Sequence, residues 1–303
     1  MKIGYYCKNW TLDCNAGKTF ELSSFTEERL LKTTSLNIEA LEKILQFNAT
    51  HNLLVYRISS ELVPHASNPV CTYPWQDYFQ DAFESIGSFI KKHNMRICMH
   101  PDQLTYINTK DESIFEKSAL EILYHAQVLD LMKLDESAKI VLFVGGIYGD
   151  KEKSMERFVE RVGRLNRGIT RRLAIENDER NYDVSDCLAI HEATGIPVML
   201  DVLNDEVNPS GMPMDQLIKR VAKTWDTEDG IPIIEYSEQW PGERVGRHSQ
   251  SISLSRFKEF LSDTQGLDYD VIMEVDDTES SAIEAVKIAK SDSRFFQQHN
   301  LTR

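Results

Sequence analysis

The chain has 303 residues, with 34 Lys plus Arg against 48 Asp plus Glu and a formal net charge of −14. A content of 41% hydrophobic and 27% charged residues excludes a disordered tail, a collagen-like repeat and a miniprotein, and is enough for one large core or two ordinary domains. So acidic a body does not hold nucleic acid by its global charge, and any phosphate-backbone contact requires a local basic groove. The five cysteines, Cys7, Cys14, Cys71, Cys98 and Cys187, form no CxxC pair and are odd in number, which points to a reducing compartment. The first ten residues carry no apolar targeting stretch and no segment reaches the length of a bilayer span. The expectation is a cytoplasmic protein with no membrane partner and no evident obligate protein partner.

Short continuous apolar runs recur along the chain: Ile3 to Tyr5, Leu53 to Ile58, Arg96 to Met99, Ile140 to Val144, Leu173 to Ile175, Val198 to Leu200, Ile231 to Ile234 and Val271 to Met273. Continuous rather than alternating runs suit parallel strands buried on both faces. Amphipathic stretches separate them. Residues 27–48 place Leu30, Thr34, Ile38, Leu41 and Leu45 on one stripe, with Ser24 and Glu27 at capping-box spacing. Further helices are expected over 77–93, 112–132, 154–167, 184–194, 214–225, 253–262 and 279–290. Eight strand–helix units match the rhythm of an α/β TIM (β/α)8 barrel, expected as one domain over residues 1–303. A doubly wound sheet gives a similar pattern. The broadest loops, 59–75, 101–111, 145–151, 202–213 and 236–250, all follow expected strands, which in a barrel is the functional face.

Polar residues close five of the runs: His100, Glu176, Asp201, Glu235 and Glu274. Any one of them alone reads as a helix cap or a solvated loop residue. Five at the carboxyl ends of different barrel strands ring one cavity. Carboxylates crowded in one pocket repel unless a cation or protons compensate. A divalent metal is the simplest compensation, and oxygen-rich ligation favours Mn, Mg or Ca over a thiolate zinc site. Such an ion activates water or clamps a phosphate.

Residues 145–151, Gly-Gly-Ile-Tyr-Gly-Asp-Lys, follow the fourth run and can bring backbone N–H groups and Lys151 to an anion, or form a plain flexible loop. Arg57, inside the second run, needs a phosphate or a core carboxylate. Residues 151–172 concentrate Lys and Arg with interleaved Glu152, Glu156 and Glu160, which suits either a backbone-contacting face or a salt-bridged one. The segment 102–106, Asp-Gln-Leu-Thr-Tyr, offers apolar groups beside an amide, for packing under a lid or wedging a base stack.

The order of these motifs resembles the ultraviolet damage endonuclease family from Gly4 to about Lys290. The matching stretches include Gly4-Tyr5 with Asn9, Thr26 to Arg29, Arg57-Ile58 with Pro64, and His100-Pro101 with Gln103. Val144 to Gly146, Tyr148 to Lys151, Glu176 to Arg180, Asp201 with Asn208-Pro209, Ser237 with Gln239, Gly246 with His248, and Asp270 to Glu274 complete them. The resemblance implies a TIM barrel of the metal-dependent endonuclease and sugar-isomerase-like type. It implies hydrolysis of the phosphodiester immediately 5′ to UV photoproducts or other helix-distorting lesions in double-stranded DNA, with one to three divalent ions, Mn first and Mg or Co next. On this footing His100, Glu176, Asp201, Glu235, His248 and Glu274 are the expected metal ligands. Glu176, Glu274 and Lys151 are the expected catalytic groups. Asn9, Arg57, Gln103, Leu104 and Tyr106 are expected to contact DNA or probe the lesion.

The chain departs from the family pattern at several points. Asn68, Phe143, Asn204 and Glu235 stand where imidazoles are expected, Ile233 where a lysine is expected, and Leu104 where an aromatic lesion probe is expected. Two alternatives therefore stand beside the endonuclease: a diverged barrel phosphodiesterase or sugar-phosphate enzyme, and a lesion-binding homologue with impaired incision.

Overall fold

Strands that lie wholly between a barrel interior and a helical coat have no solvent face, so their sequences need not alternate. This holds throughout the computed structural model of the protein, which describes residues 1–102 and 104–297. The barrel strands are β1 (Ile3–Tyr6), β2 (Val55–Ile58), β3 (Arg96–Met99), β4 (Lys139–Phe143), β5 (Leu173–Glu176), β6 (Val198–Asp201), β7 (Ile233–Tyr236) and β8 (Asp270–Met273). All pair in parallel, each with its neighbour in sequence, and β1 closes the ring by pairing with both β8 (Ile3 with Val271) and β2 (Gly4 with Val55). Closure is tight at Gly4, where a Cβ would lie 1.5 Å from the Val55 carbonyl oxygen.

The main helices are α1 (Glu27–His51), α2 (Trp75–Lys92), α3 (Glu112–Leu131), α4 (Lys151–Val162), α5 (Val184–Thr194), α6 (Met214–Ala222), α7 (Leu254–Asp263) and α8 (Glu279–Ala289). One follows each strand, which is the TIM-barrel alternation. The stripe expected on α1 is buried in full. Its cap is Thr26 rather than Ser24: the Thr26 hydroxyl accepts from the Arg29 N–H at 3.1 Å, while Ser24 lies in a separate one-turn helix. Helix α4 begins earlier than its apolar periodicity suggests because Asp150 caps it, accepting from the Lys153 N–H at 3.2 Å. It ends at Val162, and Arg167–Thr170 form a separate turn.

The segment 202–213, expected as a loop, starts as a short helix, Val202–Val207, capped by Asp201. A small hairpin, Lys8–Asn9 with Cys14–Asn15, follows β1. No helix among the described residues is long and apolar enough to cross a membrane.

Candidate metal centre

Four successive strands deliver four carboxylates to one arc of the barrel mouth. Glu176 ends β5, Asp201 ends β6, Glu235 lies on β7 directly beside Asp201 in register, and Glu274 follows β8. One oxygen from each lies within 4.8 Å of the others, and Asp201, Glu274 and a ring nitrogen of His248 meet the same limit. The group lines an open cavity of about 540 Å³, with His100 and Arg57 on the facing strands.

The surrounding hydrogen bonds fix orientations. Asp201 Oδ1 accepts from the Asn204 N–H at 2.9 Å and Oδ2 from Asn204 Nδ2 at 3.0 Å. The Asp201 backbone exchanges bonds with the Asn177 amide at 2.9 and 3.0 Å. Each histidine turns Nδ1 to a carbonyl oxygen at 2.8 Å, His100 to Pro101 and His248 to Glu274. A carbonyl only accepts, so Nδ1 carries the proton and Nε2 presents a lone pair. That is the tautomer of a metal-ligating imidazole with its outer contact in place.

Electrostatics follow from this crowding. Burial, then the charges of Asp201 and Glu274, raises the Glu176 carboxyl well above the usual carboxylate range. Burial, then Glu274, pushes Asp201 up to about 8. Burial and the nearby Arg57 guanidinium push His100 down to about 3, and burial lowers His248 as well, so both imidazoles are neutral.

Glu176 Oε2, Glu235 Oε2 and His100 Nε2 are buried without any hydrogen-bond partner among the described residues. His100 Nε2 and Glu176 Oε2 stand 3.8 Å apart. Orphaned buried acceptors are costly, and a divalent cation is the ligand that a set of carboxylate oxygens and imidazole lone pairs fits.

The other expected site residues divide. Tyr106 and Arg57 line the cavity. Arg57 answers the sequence alternatives in favour of core carboxylates: Nη1 donates to Glu235 Oε1, and Nη2 to Glu274 Oε1 at 2.5 Å. Leu104 is 72% exposed on the loop after β3. Gln103 lies outside the described residues.

Two expected contacts are not brought to the cavity. Lys151 is absent from its lining; its Nζ pairs with Asp186 and sits 5.6 Å from the Tyr182 ring. As the first residue of α4 it faces the start of α5, and the ion pair holds it there. Asn9 is buried as a brace, donating to the Tyr5 hydroxyl at 2.8 Å and accepting from the Leu12 N–H at 2.8 Å.

The basic stretch after Lys151 is largely salt-bridged. Arg161 and Arg164 pair with Glu112 and cover Phe115, and Arg171 and Arg172 pair with Asp130. At the replaced positions, Phe143 packs on the His100 ring at 5.0 Å, Asn204 braces Asp201, and Asn68 forms a turn with Val70.

Sequence reasoning missed Arg180, Arg244 and Arg247, which also line the cavity. Arg247 pairs with Asp276 at 2.6 Å. Arg180 and Arg244 are exposed and carry no ion-pair partner among the described residues. Their signal was proximity: Arg180 closes the stretch opened by Glu176, and Arg244 stands four residues before His248. Arg180 and Arg244 thus bring unpaired positive charge to the cavity mouth of an otherwise acidic chain.

Residues 1–293 match the model of the family described as UV-endonuclease UvdE. The UV DNA damage endonuclease of Clostridium perfringens is 37% identical over 292 residues, 96% of this chain and 71% of that protein. The UV DNA damage endonuclease of Bacillus cereus is 31% identical over 269 residues, 86% of this chain and 85% of that one. The crystal structure of SacUVDE matches with a TM-score of 0.92 at 40% identity, covering 96% of this chain and 98% of that one. A 3-keto-D-glucoside 4-epimerase from E. coli has a TM-score of 0.55 at 13% identity, covering 96% of this chain and 99% of its own. That likeness is one of barrel fold alone.

Proposed function

The chain belongs to the UV-endonuclease UvdE family, and from that membership we propose that it hydrolyses the phosphodiester immediately 5′ to UV photoproducts or other helix-distorting lesions in double-stranded DNA. The supporting observation is the carboxylate arc of buried Glu176, Asp201 and Glu235 with half-buried Glu274, with orphaned acceptors inside an open cavity. Glu176, Asp201, Glu274 and His248 are the residues that would hold a divalent cation, Mn first and Mg or Co next, with His100 and Glu235 adjoining. When bound, such an ion lowers the pKa of water and stabilises charge developing on phosphoryl oxygens.

The chain's own groups supply the rest. Arg180 and Arg244 at the mouth receive backbone phosphates, the role expected of Lys151. In the metal-free protein burial and the charges of Asp201 and Glu274 make Glu176 hold its proton more tightly than an exposed glutamate; once a cation offsets that repulsion, its unpartnered Oε2 is the acceptor we assign to the proton of the attacking water. Asn204 and Asn177 orient Asp201 and keep its oxygens from turning away. Leu104, exposed on the loop after β3, offers an apolar wedge for an unstacked step.

The test uses the purified chain and end-labelled duplexes, with and without a single photoproduct, in Mn, Mg or Co. The expected result is one incision at a fixed position 5′ to the lesion, abolished by chelator. Lesion binding with no incision in any metal would reassign the protein to damage recognition alone. Turnover of a small sugar phosphate, with undamaged and damaged DNA both ignored, would reassign it to the sugar-phosphate class.

A further inference from the structure

Arg57 introduces a permanent positive charge into the carboxylate arc. It rises from β2, its side chain is 8% exposed, and it crosses the barrel mouth to grip Glu235 with Nη1 and Glu274 with Nη2. The Tyr6 ring lies 4.9 Å from its guanidinium carbon. A guanidinium does not lose its proton in a protein. Stripped of both partners at this depth, it would be a buried charge without a counter-ion, a strongly unfavourable state. A metal ion therefore cannot take Glu235 Oε1 without displacing a group that has nowhere better to go.

The remaining acceptors of the arc have no such occupant. Glu176 Oε2 is orphaned, and an Asp201 oxygen, a Glu274 oxygen and a His248 ring nitrogen lie within 4.8 Å of one another.

We propose that the Arg57 guanidinium is a built-in cation that takes up Glu235 Oε1 and one oxygen of Glu274, so that the protein holds one divalent ion, among the remaining acceptors of Glu176, Asp201, His248 and Glu274, rather than a cluster. Glu235 Oε1 is then the counter-ion of Arg57 and closed to metal, and Glu235 Oε2, which has no hydrogen-bond partner among the described residues, adjoins the single ion. Glu274 is shared, one oxygen to the guanidinium and the other toward the metal. Neither the metal position nor its partners require the residues at Asn68 or Phe143, which face other tasks in this fold. The inference rests on the divalent-metal reading above and specifies its stoichiometry.

The experiment is Mn titration of the chelator-stripped full chain by calorimetry, with elemental analysis and electron paramagnetic resonance of the loaded protein. Circular dichroism confirms folding of each variant. The wild type is expected to bind one Mn per chain and show the six-line spectrum of an isolated ion. Arg57→Met should bind two, with the altered lines of an exchange-coupled pair, because Glu235 and both Glu274 oxygens become available. Arg57→Lys, which keeps the charge, should remain at one, and the double variant Arg57→Met/Glu235→Gln should return to one.

Two or more Mn in the wild type, or a folded Arg57→Met that still binds one, would overturn the inference while leaving the metal reading intact. No Mn bound by the wild type at all would overturn the metal reading, and this inference with it. If Arg57→Met does not fold, the wild-type stoichiometry and spectrum decide the matter alone.

Discussion

Replacing Asp201 with asparagine tests the electrostatic cost of assembling the acidic arc. In the metal-free protein, burial and Glu274 push this carboxyl up to about 8, against roughly 3.9 for an exposed aspartate. Between these values the folded state holds a proton that the unfolded state has released, so stability falls as pH rises across that window and levels off above it. At about 1.36 kcal/mol per pH unit the full loss is about 5–6 kcal/mol at pH 8 and only about 1 kcal/mol at pH 4.5.

Asp201→Asn removes this cost at every pH. Against it stands one hydrogen bond: Asn204 Nδ2 now donates to Asp201 Oδ2 at 3.0 Å, and an amide cannot accept there while its other end accepts from the Asn204 N–H. That loss is worth about 1–3 kcal/mol. The asparagine should therefore stabilise the chelated protein at pH 8 by about 3 kcal/mol. With about 2 cal/mol/K of unfolding entropy per residue, the melting temperature of the 303-residue chain should rise by roughly 5 °C. At pH 4.5 the same substitution should be neutral or destabilising.

Saturating Mn at pH 8 should invert the first result. The parent gains about 4 kcal/mol at a thousandfold excess over Kd, more than the advantage of about 3 kcal/mol that the asparagine has in chelator, and the variant gains little. Thermal melts monitored by circular dichroism, at both pH values and with chelator or Mn, give all four comparisons. A variant that melts below its parent in chelator at pH 8 would show that the cluster is not self-repelling as derived, and that Asp201 is ionised at little cost.

Other expectations follow from single contacts. Arg180→Ala and Arg244→Ala should each weaken binding to damaged and undamaged duplex alike and reduce the slope of log K against log salt by about 1, measured by anisotropy at several salt concentrations; an unchanged slope would place phosphate contact elsewhere. Asn204→Ala leaves Asp201 Oδ2 without its side-chain donor and should lower stability by about 1–3 kcal/mol in urea unfolding, with Mn affinity falling at least tenfold because the ligand is no longer oriented. Gly4→Ala places a Cβ 1.5 Å from the Val55 carbonyl oxygen where β1 closes the barrel, and should give insoluble chain or a loss above about 3 kcal/mol; a normally stable variant would contradict the register of β1. Leu104→Ala, at an exposed loop position, should change the melting temperature by less than about 1 °C while weakening discrimination between lesion and intact duplex in competition binding.

The barrel was legible in the chain because its strands are buried on both faces, and continuous apolar runs such as Ile140 to Val144 record that burial locally. The acids closing those runs were legible for the same reason. A carboxylate directly after a buried strand has its direction set by the strand, and Glu176, Asp201, Glu235 and Glu274 meet where a closed parallel barrel must bring them. Helix starts were less legible, because a cap is decided by one side-chain contact. Asp150 and Thr26 outrank the periodicity around them.

What the sequence by itself left open is which partner each polar residue takes. Arg57 suits a phosphate as well as a carboxylate, and only barrel closure sets it across from Glu235 and Glu274, 178 and 217 residues away along the chain. Lys151 follows a glycine-rich stretch that reads as suited to an anion, yet Asp186 and the Tyr182 ring, both contributed by later segments, claim it. Asn204 reads as a missing ligand and serves as the brace of Asp201. Burial and helix direction are imposed by neighbours close in sequence. Charge pairing and hydrogen-bond partnership depend on residues that only the closed fold brings within reach.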